Sequence, residues 1–264
     1  MDRFVLMALV ATLGTWFVTA LGAATVVFFS SPNPKALNLM LGFASGVMIA
    51  ASFWSLLQPA IERAEAVSNL PAYLVATAGF LLGALFMWAS DKIVSFARRK
   101  ADNTQGKPNE RLHRIIMLIL SITLHNIPEG MAVGVVYAGT MMEGAKLTVA
   151  EALILSLGIA IQNFPEGAMV SLPLHGEGMK KTEAFLYGML SGMVEPVAAV
   201  VTILAAGFLI PMLPYLLGFA AGAMLFVVVE ELIPEMPEGE HSHFGTLMFM
   251  AGFTLMIILD TTLG

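Results

Sequence analysis

The hydrophobic residues of this chain fall into eight long blocks separated by short polar stretches. The blocks cover residues 4–29, 36–60, 71–96, 112–139, 149–174, 184–209, 214–233 and 244–263. About twenty apolar residues suffice for an α-helix to cross the ~30 Å hydrocarbon layer of a membrane. Inside lipid, only helices and closed barrels satisfy every backbone polar group. The pattern therefore predicts an all-α integral membrane protein with eight transmembrane helices.

The connections between the blocks are short, which predicts a single transmembrane domain over residues 1–264. The most polar connection is 97–111, with the sequence ARRKADNTQGKPNER, and it is predicted to be a flexible loop. The first block is too long for the core of a signal peptide, so it is expected to remain as a span.

Composition and charge support this interpretation. Hydrophobic residues make up 58% of the chain and charged residues only 12%, with a mean hydropathy of +0.82. Ten of the 13 Lys and Arg residues fall on the side of 97–111, so that side is predicted to be cytoplasmic. Both termini are then extracytoplasmic in the plasma (bacterial inner) membrane. The basic stretch 98–100 is too brief to predict nucleic-acid binding. The absence of cysteine excludes disulfides and thiolate metal ligands.

Two copies of one polar motif interrupt the apolar blocks. Residues 125–130 read HNIPEG in the fourth block, and residues 162–167 read QNFPEG in the fifth. At helical spacing, each motif places its polar side chains on one stripe. These side chains are His125, Asn126 and Glu129 in the first copy, and Gln162, Asn163 and Glu166 in the second. Successive spans run in opposite directions, so the motif meets itself as an inverted repeat, where transporters place substrate sites.

Further polar or sulfur-bearing side chains are expected at the same depth. Glu195 lies near the middle of the sixth block and Met48 near the middle of the second. A carboxylate at the bilayer centre costs at least ~2.5 kcal/mol, so Glu129, Glu166 and Glu195 require a compensating cation or partner. No Lys or Arg lies near the middle of these blocks. Because imidazole and carboxylate groups suit Zn²⁺ and similar ions, a divalent metal is the simplest compensation.

Three interpretations of the motif pair stand side by side. The first is a transporter that moves Zn²⁺, or cadmium, iron or manganese, into the cytoplasm, with the metal as substrate and no prosthetic group. The second is an intramembrane metal-dependent hydrolase, which the absence of HExxH and of a second histidine inside a span disfavours. The third is that the amides only join helices by hydrogen bonds.

An acidic segment follows the middle of the seventh block. Glu230 and Glu231 occur in VVVEELIPE, and the connection 235–243 adds three glutamates and two histidines. These residues are expected either to accept metal that leaves the membrane or to form a solvated turn. The role of the connection is left open.

The chain resembles the ZIP (Zrt/Irt-like) divalent metal transporters, in particular the bacterial GufA-like branch. The resemblance rests on eight spans, an inner connection after the third, HNxPEG followed by xNxPEG, and the stretches SGMVEP and VVVEELIPE. It implies three-plus-two-plus-three helices with inverted repeats, a homodimer, and two adjacent metal sites. The implied ligands of one site are Met48, His125, Glu129, Gln162 and Glu166. Those of the other are Asn126, Asn163 and Glu195, with Glu129 and Glu166 bridging. Many zinc-carrying relatives have His where this chain has Gln162, so strict zinc selectivity is not implied.

Overall fold

The fold is described by a computed structural model over residues 2–29, 33–104, 110–140, 147–205, 212–234, 236 and 242–263. The side chains of His125 and of residues 97–122 lie outside that description. Within these ranges all regular structure is helical. The helices are α1 (Asp2–Ala23), α2 (Thr25–Phe28), α3 (Pro34–Ala51), α4 (Gln58–Val67), α5 (Ala72–Thr104), α6 (Glu110–Thr140), α7 (Val149–Gly176), α8 (Lys181–Ser191), α9 (Val194–Leu204), α10 (Leu213–Val227) and α11 (Ser242–Leu263).

These helices make up the eight predicted spans. Helices α1 and α2 form the first span, and α3 continues through a π-helical turn at Ser52–Leu57 into α4 as the second. Helices α5, α6 and α7 are the third to fifth, and α8 with α9 forms the sixth. Helix α10 ends in a π-helical turn at Val228–Leu232 as the seventh, and α11 is the eighth. The prediction of an all-α membrane protein is confirmed.

The spans have the length and hydropathy that a membrane requires. Among the described residues seven helical stretches meet both criteria, at Val5–Phe28, Lys35–Ala66, Ala72–Phe96, Val149–Gly176, Lys181–Leu204, Leu213–Leu232 and His243–Thr262. The predicted fourth span corresponds to α6, which has 31 residues. The sequence blocks agree with these helices to within a few residues at most ends, because bilayer thickness sets the length of the apolar run.

The connection predicted at 97–111 is shorter than expected. Helix α5 continues to Thr104 and α6 begins at Glu110, so the prediction of a loop is wrong for residues 97–104 and 110–111. Alanine, arginine and lysine are good helix formers, and they prolong a helix beyond its apolar part. Residues 105–109 lie outside the described part of the chain.

Glycines mark four tightly packed pairs of spans. The first span packs on the fifth and the fourth on the sixth, while the second packs on the eighth and the third on the seventh. In each pair a glycine lies directly against the partner's backbone, so that a Cβ there would overlap a carbonyl oxygen. Examples are Gly22 against Phe164 and Gly83 against Phe219. Small residues let membrane helices approach this closely. Of the glycines on the first three spans, only Gly14 has open space around it.

The pairing follows the inverted repeat. Exchanging spans one, two and three with six, seven and eight, and four with five, turns each pair into another of the four. The two π-helical turns lie in the second and seventh spans, which this exchange also relates. The repeat seen in the sequence at the fourth and fifth spans therefore extends to the whole bundle.

Further contacts between the pairs join them into two groups of four spans. The first group contains spans one, four, five and six, and the second contains spans two, three, seven and eight. The fifth span is central, with 67% of its most apolar window buried, against 17% for the eighth span. The first span shows the resulting inside-out pattern. Its lipid-facing residues are apolar and exposed, namely Leu6, Val10, Leu13, Phe17 and Leu21, whereas Thr12, Thr15 and Thr19 are buried.

Candidate metal centre

The two motifs lie within the long helices α6 and α7. Pro128 and Pro165 are inside these helices, and both helices continue through them. The glycine after each glutamate contacts another span: Gly130 lies against the backbone of Glu195, and Gly167 against that of Thr19. A glycine at these positions permits the close approach of the neighbouring span. This approach brings the sixth span to the first motif and the first span to the second.

The sixth span is broken beside the motifs, which the sequence analysis did not predict. Helix α8 ends at Ser191, and α9 begins at Val194 after a turn at Gly192 and Met193. Glu195 therefore lies in the first turn of α9, where backbone N–H groups lack helical partners and the helix dipole favours a negative charge. Pro196 is tolerated there because proline lacks a backbone N–H, and an N–H in the first turn of a helix has no helical partner in any case. Discontinuous helices are typical of transporter substrate sites.

Six of the ten predicted site residues come together in the buried centre of the first group. The exposed fraction of the side chain is 8% for Glu166 and 2% or less for Asn126, Glu129, Gln162, Asn163 and Glu195. Glu129 is close enough to Glu166 and Glu195 to be affected by their charges. Like charges so close, away from water, require compensation.

The amide groups hold two of the carboxylates. Gln162 Nε2 donates a hydrogen bond to Glu129 Oε1 at 2.5 Å. Asn163 Nδ2 donates to both oxygens of Glu195, each at 2.9 Å. Asn126 Nδ2 donates to the backbone oxygen of Ser191 at 3.0 Å. Because all these acceptors are oxygens, only the amide nitrogens can face them. The amides therefore do join helices by hydrogen bonds, as the third interpretation states. This interpretation accounts for the nitrogen of each amide but not for its oxygen.

The oxygen atoms of the three amides and one oxygen of Glu129 remain unpaired. Asn126 Oδ1, Glu129 Oε2, Gln162 Oε1 and Asn163 Oδ1 are buried and have no hydrogen-bond partner among the described residues. Buried acceptors are nearly always paired, so four in one cluster need an explanation. Carboxylate and amide oxygens can coordinate divalent cations. The donor set of the two motifs thus fits a metal ion.

No three His, Asp or Glu side chains in the described part of the chain are arranged as a metal-binding cluster. One reason is that the set of unpaired oxygens consists mostly of amide oxygens, which such a cluster does not include. The side chain of His125, the predicted imidazole ligand, lies outside the described residues, although its backbone is part of α6.

The remaining predicted residues belong to the second group of spans. Met48 is fully buried in the main hydrophobic core, on α3. Glu230 and Glu231 lie in the π-helical turn of the seventh span, where Glu230 is exposed and Glu231 is partly buried. Glu231 is close enough to Glu166 to affect it electrostatically. In the connection 235–243, residues 235 and 237–241 lie outside the described part of the chain.

A threonine that is not among the predicted site residues contacts the site. Thr15 Oγ1 donates a hydrogen bond to Glu195 Oε2 at 2.7 Å, although 180 positions separate the two residues. The available signal was a stripe of threonines at positions 12, 15 and 19 in an otherwise apolar block. Threonine can satisfy its hydroxyl on its own helix, so such a stripe does not by itself indicate a site.

A smaller polar cluster lies elsewhere on the second and eighth spans. Ser55 Oγ donates to Asp260 Oδ1 at 2.9 Å, and Arg63 on α4 is 95% buried, with an exposed fraction of 5%. Glu151, in the first turn of α7, is close enough to both Asp260 and Arg63 to interact electrostatically. This cluster contains none of the predicted metal ligands.

Comparison with known proteins relates the whole chain to metal transporters. A family model described as ZIP zinc transporter matches residues 4–115 and 98–260. Zinc transporter ZIP11 of Xenopus tropicalis is 38% identical over 98% of this chain and 98% of its own. Zinc transporter ZIPB of Bordetella bronchiseptica is 39% identical over 93% of this chain and 78% of its own. Zinc transporter GufA of Myxococcus xanthus is 36% identical over 97% of this chain and 98% of its own.

Proposed function

Because the chain belongs to the ZIP zinc transporter family, we propose that it carries Zn²⁺ into the cytoplasm through the paired motifs at the centre of the membrane. Membership establishes a membrane protein that transports zinc as its substrate, and it excludes the hydrolase considered from the sequence. The direction of transport, the midplane site and the further substrates cadmium, iron and manganese are part of the proposal.

One observation carries the proposed site. The four unpaired buried oxygens of Asn126, Glu129, Gln162 and Asn163 belong to the same two motifs whose buried glutamates would repel one another when ionised. A divalent cation would compensate both defects, because it accepts lone pairs from the oxygens and neutralises the carboxylates. Hydrogen bonding between helices would leave the oxygens unpaired and the charges uncompensated.

The proposal assigns the ligands to two adjacent positions. His125, Gln162 and Met48 would complete one position, and Asn126, Asn163 and Glu195 the other, with Glu129 and Glu166 shared. Amide oxygens are neutral and weaker ligands than imidazole or thiolate. A ligand set with one imidazole and several oxygens therefore binds an ion weakly enough for the ion to be released, as transport requires.

Glu231 supports a route from the site towards the cytoplasm. It lies on the seventh span and is close enough to Glu166 to affect it electrostatically, while the neighbouring Glu230 is exposed. We propose that the ion passes from Glu166 to this pair. In this arrangement both termini are extracytoplasmic, and the membrane is the plasma membrane. We also propose that the chain pairs as a homodimer.

The two groups of spans suggest how access to the site alternates. The four pairs of spans that pack through glycines all lie within one group or the other, and none of them joins the two groups. Asn126, Glu129, Gln162, Asn163, Glu166 and Glu195 all belong to the first group, and Met48, Glu230 and Glu231 belong to the second. We propose that the first group moves as one body against the second, as repeats do in other inverted-repeat carriers.

A disulfide between the groups should therefore stop transport. The natural chain has no cysteine, so engineered pairs are unambiguous. A Cβ at position 158 of the fifth span would lie 3.7 Å from Val47 Cγ1 of the second span. A cysteine sulfur at position 47 could occupy about the place of that Cγ1, so a small side-chain shift would close a disulfide. In the double variant Val47→Cys, Gly158→Cys, oxidation should abolish metal uptake and a reductant should restore it.

The matched controls are the single variants Val47→Cys and Gly158→Cys. Each carries one of the two substitutions but cannot form the bond, because the natural chain has no cysteine to pair with it. Both should keep their uptake after oxidation. Full uptake by the oxidised cross-group variant, with the bond verified by mass spectrometry, would contradict movement between these groups.

The function itself is tested by metal flux. Purified protein in liposomes that contain a metal-sensitive dye should admit Zn²⁺, and comparison with cadmium, iron and manganese ranks the substrates. His125→Ala should lose most of this flux, because it removes the only imidazole predicted near the middle of a span. Accumulation of ⁶⁵Zn by cells that express the protein should rise, which tests the inward direction. Folded protein that admits none of the four metals would overturn the proposal.

A further inference from the structure

The carboxylate of Glu195 is held by side chains from two other spans. Thr15 Oγ1 of the first span donates to Oε2 at 2.7 Å. Asn163 Nδ2 of the fifth span donates to Oε2 and to Oε1, each at 2.9 Å. All three residues are buried, with exposed fractions of 1% or less. Glu195 therefore has a defined orientation, although it lies beside a break in its own span.

The hydroxyl of Thr15 has a choice of two acceptors. Besides Glu195 Oε2, its oxygen lies 2.9 Å from the backbone oxygen of Thr12. A hydroxyl carries a single hydrogen, so it serves one acceptor at a time. A carboxylate is the stronger acceptor, because the bond is assisted by its charge. The Thr15 hydroxyl therefore serves Glu195 rather than its own helix.

The orientation of Glu195 also determines the orientation of the Asn163 amide. The amide nitrogen of Asn163 is engaged by Glu195, so its oxygen Oδ1 remains unpaired and belongs to the proposed ligand set. If Glu195 adopted another rotamer, the amide would lose the partner that fixes its orientation. Thr15 thus acts on two proposed ligands through one hydrogen bond.

We propose that Thr15 is a positioning residue that sets the metal preference of the transport path through Glu195. This inference rests on the proposed function, since it assumes that Glu195 and Asn163 contact the ion. Discrimination between ions depends on the number of ligands, the size of the cavity and its rigidity. A fixed carboxylate discriminates between ions of different radius, and a mobile one adapts to either.

The test compares Thr15→Val with Thr15→Ser and with Thr12→Val. Valine keeps the shape of threonine and removes the hydroxyl, whereas serine keeps the hydroxyl. Thr12 is a matched control because it lies on the same buried stripe and donates only within its own helix, to Ala8 at 2.8 Å and Leu9 at 3.3 Å. The measured quantities are KM and the maximal rate for Zn²⁺ and Cd²⁺ in proteoliposomes, with Glu166→Ala included.

Thr15→Val should raise KM for Zn²⁺ about tenfold, as expected for loss of one hydrogen bond to a charged group. The maximal rate should change less, and the ratio of zinc to cadmium transport should fall. Thr15→Ser should restore both quantities, and Thr12→Val should match the wild type. An unchanged KM and metal ratio in Thr15→Val, or equal effects of Thr15→Val and Thr12→Val, would overturn the inference. The proposed function would survive that result, since only undiminished flux in Glu166→Ala contradicts the site itself.

Discussion

Replacing Glu166 with alanine is expected to reduce metal uptake to the level of empty liposomes. Glu166 is one of three buried carboxyl groups that are close enough to affect one another electrostatically. It is proposed to bridge both metal positions and to pass the ion on to Glu231. Loss of an outer partner of a metal ligand already costs about 10–100-fold in affinity or activity, and loss of a shared ligand should cost more. Dye-based uptake of Zn²⁺ by purified variants measures the effect.

Two further variants make this result specific. Glu166→Gln keeps the shape of the side chain and removes its charge, so it should also lose uptake. Glu183→Ala removes an exposed carboxylate at the start of α8 and should transport as the wild type does. Wild-type uptake in Glu166→Ala would show that the paired motifs do not form the path of the ion.

Replacing Gly167 with alanine is expected to destabilise the whole bundle. The added Cβ would overlap the backbone oxygen of Thr19, so helices α1 and α7 would have to separate. Backbone atoms cannot rotate away as a flexible side chain can, and overpacking a tight core costs about 1–3 kcal/mol or more. Thermal unfolding of the purified protein in detergent, monitored by tryptophan fluorescence, should show a lower midpoint.

Gly14→Ala is the matched control for this prediction. It adds the same methyl group to the other helix of this pair, the first span, but a Cβ at position 14 meets nothing within 4 Å. Alanine is the better helix former by about 0.5–1 kcal/mol, so this variant should be as stable as the wild type or slightly more stable. Equal melting of Gly167→Ala, Gly14→Ala and the wild type would contradict the close packing of the first and fifth spans.

The sequence predicts which residues form the candidate site, but it does not predict which of them are joined by hydrogen bonds. Glu129 and Glu166 attracted attention because isolated carboxylates in apolar blocks are costly, and the repeated motif related them to each other. The hydrogen bond from Gln162 to Glu129, and that from Asn163 to Glu195, bridge residues 33 and 32 positions apart. No local pattern specifies which amide meets which carboxylate, because the packing of three spans decides it.

The break in the sixth span illustrates the same limit. Gly192 and Pro196 are signals of a weak helix, yet the block containing them is predominantly apolar on both sides of Glu195 and is predicted as one continuous span. A membrane helix can tolerate both residues when neighbours satisfy its backbone. Here Thr19 packs against Gly192, and the backbone of Glu195 lies against Gly130, so tertiary contacts accommodate the broken form.

The sequence by itself determined the spans and the chemistry available at their centre. Bilayer thickness translates directly into the length of an apolar run, and a charge in lipid is conspicuous wherever it occurs. The tertiary structure decided which spans pair, that the pairs form two groups, and that Thr15 reaches Glu195. These features depend on contacts between residues far apart in the chain. Every lipid-facing block is similarly apolar, so hydrophobicity alone does not distinguish one partner from another.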